Sequence, residues 1–225
     1  MAEHNEIVST VVRELSSIRG LEPSIEKVTQ SARLLFDADQ AGVTLIRSRG
    51  ELETVGPTHE IVTELDSLQY ALGQGPCVDA VTEQHVVIAN DLDSDPRWPQ
   101  WGPRACSVGI QSIVAADLQA DGRRIGALNL YGSRTNQFKD TDAALLLSFS
   151  AHASAALAAA RTIESLSAAL DTRTVIGQAE GIIMERFGVD PVTAFAILKR
   201  YSQDSNTRLR EIAEQIVARR ELPSS

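Results

Sequence analysis

The chain has 225 residues, 43% apolar and 23% charged, which suits one large or two modest domains with a real core and argues against disorder. Its formal net charge of −9 argues on its face against a nucleic-acid partner, because phosphate binding is chiefly electrostatic. Cys77 and Cys106 are only two and have no CxxC or Cys/His metal spacing, so neither a disulfide framework nor a zinc site is indicated. No run of about 18 uninterrupted apolar residues and no basic-then-apolar leader is present, so a cytoplasmic protein without membrane spans is expected.

In chain order, residues 1–36 carry two amphipathic helical patterns, Ile7, Val11, Leu15 and Ile18 on one face and Ile25, Val28, Ala32 and Leu35 on the next, separated by Gly20 and Pro23. Strand patterns at 41–47 and 51–55 flank Ser48, Arg49 and Gly50 as a hairpin. Ile61, Leu65, Leu68 and Leu72 then recur at helical spacing up to Gly73, and Pro76 opens a further short helix. HVVIAN (85–90) reads as a strand. DLDSDPRWPQWGP (91–103) is too rich in Pro and Asp for regular structure, and it leads into a short helix before the strand QSIVAADLQ (111–119). Asp121 and Gly122 turn that strand back into RRIGALNLYG (123–132). The order is α+β, with an antiparallel sheet covered on one side by helices.

From Asp140 one helical pattern continues without Gly or Pro as far as Gly177. Leu146, Phe149, Ala153, Ala156, Ala160 and Ile163 alternate three and four apart, and Leu166 and Leu170 carry the stripe on. This stripe serves either as a coiled-coil connector in a homodimer, with Ala153 and Ala156 at the seam, or as a face that packs back on the chain's own sheet. We take it as the connector. Val175, Ile176, Ala179, Ile182 and Ile183 extend the helical spacing to Phe187, where Gly188 is the expected left-handed stop. Asp190 and Pro191 cap and open a helix with Ala194, Phe195, Ile197, Leu198 and Tyr201 on its apolar face. A last helix from Thr207 places Leu209, Ile212, Ala213 and Ile216 on one side. Three such helices make a small bundle.

Residues 171–217 resemble an ANTAR domain through Ala179, Gly181 and Met184 in QAEGIIMERFG, then Ala194, Leu198 and Ser202, then Asn206, Leu209 and Ala213. GQGPCVDA, VVIANDLDSDPRWP, GIQSIVAADL and RIGALNLYG resemble a GAF domain over roughly residues 15–160, of the type that precedes ANTAR domains in actinobacterial regulators. The resemblance implies a GAF sensor domain (1–160, with N-terminal helices), an ANTAR RNA-binding domain (161–225) and a shared long helix (140–187). It implies an RNA-binding antitermination regulator that recognises tandem stem-loops in mRNA leaders. One departure from the ANTAR pattern is Glu180, where the family often carries Lys.

The candidate RNA surface is Lys199, Arg200, Ser202, Asn206 and Arg208, around the turn between the last two helices, where a helix N-terminus presents amides to phosphate. From Asp171 onward eight basic and eight acidic residues balance, so the whole −9 belongs to residues 1–170 and RNA binding requires a local patch. Trp98, Trp101, Asn129 and Tyr131 are candidate contacts for a small-molecule ligand of the GAF domain, although buried aromatic residues more often form core. No particular cofactor is indicated. His4, His59, His85 and His152 lie far apart in no catalytic or metal-binding context, so neither an enzyme nor a metal site is expected. The alternative is a ligand- or redox-sensing dimeric module acting through protein partners. It would call on Cys77, which follows Pro76 at a helix start but reads more simply as a buried thiol.

Overall fold

The computed structural model describes residues 20–219 except Gln84, together with Glu14 and Ile18. Most of the first helical pattern, including Ile7, Val11 and Leu15, lies outside the described residues. The chain divides into two compact units between Arg161 and Thr162.

The first unit holds a five-stranded antiparallel sheet of β1 (Gln40–Ile46), β2 (Leu52–Val55), β3 (Val86–Ala89), β4 (Ser112–Ala120) and β5 (Arg123–Gly132), in the spatial order β2-β1-β5-β4-β3. Asp121 and Gly122, both with positive φ, make the tight turn between β4 and β5. Helices α1 (Leu21–Leu35), α2 (Glu60–Leu72), α3 (Pro76–Thr82) and α4 (Gly102–Ser107) surround the sheet. His59 caps α2 by accepting from the Ile61 amide at 3.2 Å, and Gly73 ends it in the left-handed region.

Helices cover both faces of the sheet, not one. Ile25, Val28 and Ala32 of α1 pack with Leu146, Phe149, Ala153 and Leu157 against Val43, Leu45, Val114, Leu128 and Leu130. On the opposite face, Val62 and Leu65 of α2, Cys77 and Ala80 of α3, and Trp98 and Trp101 pack against Ile113, Ala115, Ala127 and Tyr131. The physical signal is the unbroken run Ile113-Val114-Ala115-Ala116. Successive strand residues point to opposite faces, so four consecutive apolar residues describe a strand buried on both sides.

Helix α5 (Asp140–Phe187) runs for 48 residues. One stretch of it is long and apolar enough by composition to cross a membrane. Its residues Leu146, Phe149, Ala153 and Leu157, however, are buried in the sheet's own core. The stripe therefore splits. As far as Leu157 it packs back on the sheet, so Ala153 is not at a subunit seam, whereas Ile163, Leu166 and Leu170 remain 63%, 61% and 66% exposed.

The second unit is a bundle of the C-terminal part of α5 with α6 (Pro191–Asp204) and α7 (Leu209–Arg219). Ala179, Ile183, Ala194, Leu198, Ile212, Ala213 and Ile216 form its core. Gly188 takes the left-handed stop after α5, and its amide donates to Met184 O at 2.9 Å. Asp190 caps α6 by accepting from the Thr193 amide at 2.8 Å. α7 starts two residues later than its pattern suggests, because Asn206 has φ +50° and Thr207 is bound to Ser202, which keeps these residues out of the helix.

Candidate ligand site and nucleic-acid interface

The face of the sheet beneath α2 and α3 carries polar side chains where apolar ones would be ordinary. Gly42 makes this possible: a Cβ there would meet Val62 Cγ1 at 2.6 Å, so only glycine lets α2 lie this close to β1. The approach brings Asp66 of α2 down among Thr54 of β2 and Asn129 and Tyr131 of β5. Its carboxylate accepts from Tyr131 OH, from Thr54 Oγ1 at 2.9 Å, from Gln69 Nε2 at 3.1 Å and from Asn129 Nδ2 at 3.4 Å. Thr44 of β1 lies in the same cluster, 2.8 Å from Tyr70 OH and 3.0 Å from Cys77 Sγ.

Asp66 is fully buried and no cation among the described residues meets it, so desolvation pushes its carboxyl up to about 6 even though four hydrogen bonds pull the other way. Burial, then the nearby Asp66, pushes the Cys77 thiol up to about 12. The phenols of Tyr70 and Tyr131 are also raised, by burial first and Asp66 next. Asn129 Oδ1 is buried with no hydrogen-bond partner among the described residues.

The four expected ligand contacts all belong to this half of the core. Trp98 and Trp101 meet edge to face with centroids 6.3 Å apart. Trp98 donates to Asp79 Oδ2 at 2.9 Å and Trp101 to Leu65 O at 3.0 Å. The segment before them is pinned by Arg97, which pairs with Asp95, donates to Ile88 O at 2.7 Å and stacks 4.2 Å from the Trp98 ring centroid. Trp98, Trp101, Asn129 and Tyr131 are thus buried on one face of the sheet, each making at least one hydrogen bond within the chain.

Around the α6–α7 turn, Lys199, Arg200, Asn206 and Arg208 are exposed. Arg200 pairs with Asp204 at 3.5 Å, an exposed pair that contributes little and leaves the guanidinium accessible. Ser202 differs from the other four. Its hydroxyl donates to Thr207 O at 2.6 Å and its carbonyl accepts from the Thr207 amide at 3.1 Å, so it clamps the turn instead of presenting a free hydroxyl.

The profile of the GAF domain matches residues 24–158, and that of the ANTAR domain matches residues 164–217. The chain belongs to the GAF family. Its architecture is GAF followed by ANTAR, two signalling and regulatory domains of which GAF is a sensor and ANTAR the RNA-binding antitermination output. No curated protein matches the chain.

Among solved structures, the chain is similar to the free methionine-R-sulfoxide reductase of Neisseria meningitidis in complex with its substrate (TM-score 0.57, 20% identity, 72% of this chain and 92% of that one). It is also similar to the GAF domain of a phosphoenolpyruvate-protein phosphotransferase from Coxiella burnetii (TM-score 0.59, 16% identity, 72% and 96%). A third likeness is to the phytochrome photosensory core module of Stigmatella aurantiaca (TM-score 0.61, 16% identity, 89% and 44%), less than half of which this chain spans. At these identities the likeness is one of fold.

Sequence reasoning on the GAF unit missed Asp66. Its only sequence trace is the pair Asp66 and Gln69, three apart within the apolar pattern of α2. A polar pair at that spacing ordinarily reads as a solvated helix face.

Proposed function

We propose that the chain is an RNA-binding transcription antitermination regulator in which the GAF unit senses a signal and the ANTAR unit binds tandem stem-loops in nascent mRNA leaders. The observation that carries this reading is the succession of a GAF and an ANTAR domain, with Lys199, Arg200, Asn206 and Arg208 exposed around one turn of the ANTAR bundle. The RNA-contacting surface is formed by these four side chains, with Ser202 holding the turn that presents them. The protein acts as a homodimer through the uncovered stripe Ile163, Leu166 and Leu170, because three large aliphatic side chains at 3-4 spacing on one helix face match a coiled-coil seam.

A gel-shift titration with a tandem stem-loop RNA tests the reading. Replacing Arg200 and Arg208 together by Glu weakens binding severalfold or more without altering the circular dichroism spectrum, since both side chains lie outside the bundle core. A double variant that binds as tightly as the parent sinks this RNA surface.

A further inference from the structure

The uncovered stripe Ile163, Leu166 and Leu170 does not stop at Leu170. The same three-four spacing carries it along α5 to Arg173, Gly177, Glu180, Met184 and Phe187. Arg173 and Gly177 are exposed and Glu180 is half-buried, while the bundle core takes Ala179 and Ile183 from another side of the helix. Arg173 and Glu180 make no hydrogen bond or ion pair among the described residues, with each other or with any other group. A Cβ added to Gly177, or to Gly181 one turn on, would meet nothing within 4 Å. Glycine inside a helix is destabilising relative to alanine, and nothing in this unit's own packing requires it there. Gly177 also lines, with Ala169, Arg173 and Glu180, a groove that opens beside the 42% exposed Phe195.

Resting on the homodimer reading, we propose that a second copy of the chain crosses this face antiparallel, the two α5 helices closest at Gly177 and Arg173 of each copy paired with the partner subunit's Glu180. Charge decides the direction. Parallel helices in register set each seam residue against the same residue of the other copy, so Arg173 would face Arg173 and Glu180 would face Glu180. A two-fold axis at Gly177 reverses this. Arg173 lies four residues before the axis and Glu180 three after it, so opposite charges meet twice per dimer and neither is covered alone. The apolar positions agree. Leu170 and Met184 lie seven residues either side of Gly177, and Leu166 and Phe187 lie eleven and ten, so Leu170 meets the partner subunit's Met184 and Leu166 the partner subunit's Phe187. Leu166 and Phe187, 61% and 49% exposed in the single chain, are thereby covered. The distance between packed helices is set by the side chains at the contact, so glycine at the axis lets the two backbones approach closely. RNA is the less fitting occupant, because a face whose two charges cancel and whose ends are apolar offers a polyanion little.

The test uses the full chain with Cys106→Ser, which leaves the buried Cys77 as its one native thiol. Arg173→Glu breaks both pairs of the antiparallel dimer and is expected to raise the dissociation constant about 10-fold or more by sedimentation equilibrium. Adding Glu180→Arg to it restores the pairs and the affinity. In a parallel dimer the single reversal only exchanges one like-charge pair for another, and the second substitution restores nothing. Leu170→Cys supplies an independent readout. In the antiparallel crossing the two copies of residue 170 lie about 20 Å apart along the helices, far beyond disulfide reach, so no covalent dimer is expected on oxidation. In a parallel dimer the same residue faces itself and joins readily. The substituted side chains lie outside the bundle core, so the circular dichroism spectrum is expected to stay unchanged. Ready cross-linking through Leu170→Cys, or an Arg173→Glu variant that dimerises as the parent does, overturns the antiparallel crossing and leaves the seam itself standing. A parent that stays monomeric at micromolar concentrations removes the seam and this inference together. An Arg173→Glu variant as dimeric as the parent but weaker for stem-loop RNA gives this face to RNA, which also overturns the inference.

Discussion

Asp66 sits in an environment at odds with its chemistry, a carboxylate in the interior with four donors and no counter-charge among the described residues. An acid whose folded pKa is raised binds its proton more tightly folded than unfolded. Its contribution to stability therefore grows as pH falls through about 6 towards 3.8 and is lost above about 6. Between pH 7.5 and pH 4, denaturant unfolding should show the wild type gaining about 2 kcal/mol relative to Asp66→Asn. A stability difference that stays constant across that range would mean Asp66 is not penalised as its burial requires. Cys77 gives a second outcome at this scale. With its thiol buried and raised to about 12, it should resist Ellman's reagent in the native protein and react only on unfolding, while the partly exposed Cys106 reacts first. Rapid native modification of both thiols would revive redox sensing, which the burial of Cys77 now disfavours.

At the scale of elements, α5 serves two environments with one periodicity. The spacing that runs from Leu146 to Leu170 was readable in the sequence, but spacing alone does not say what covers a stripe. The split at Leu157 depends on where β4 and β5 lie, and those strands are distant in sequence. Two substitutions on this helix therefore have different consequences. Ala153→Glu places a charge in the closed core and should destabilise the GAF unit by about 3 kcal/mol or more, read as a lower unfolding midpoint. Leu170→Glu sits on an exposed face and should leave the midpoint of the GAF unit nearly unchanged while converting dimers to monomers by light scattering. Monomers in the parent at micromolar concentrations would refute the seam. The same reasoning separates the turn residues: the ANTAR pattern marked Ser202 and Asn206 as important, while their hydrogen bonds and positive φ show that one clamps the turn and the other shapes its backbone.

For the whole molecule, the negative charge resides in residues 1–170 while the tail is neutral, so phosphate attraction rests on a few local cations. If Lys199, Arg200 and Arg208 neutralise three phosphates, log affinity should fall with log salt at a slope of about −2. A slope near zero would remove the phosphate contacts, and one several times steeper would require cations outside this surface.

The sequence by itself determined the order of elements, the helix stops at Gly73 and Gly188, the β4–β5 turn and the succession of GAF and ANTAR. These are local or linear properties: a left-handed stop, a two-residue turn or a family motif is complete within a few neighbouring residues. Tertiary structure alone decided that both sheet faces are covered, that Trp98 and Trp101 are buried on one of them, and that Asp66 lies beneath α2. Each of these depends on elements far apart in sequence meeting at close range, as where Gly42 admits α2 onto β1. Burial and partner choice follow from what lies across the gap, and no periodicity along a single element carries that information.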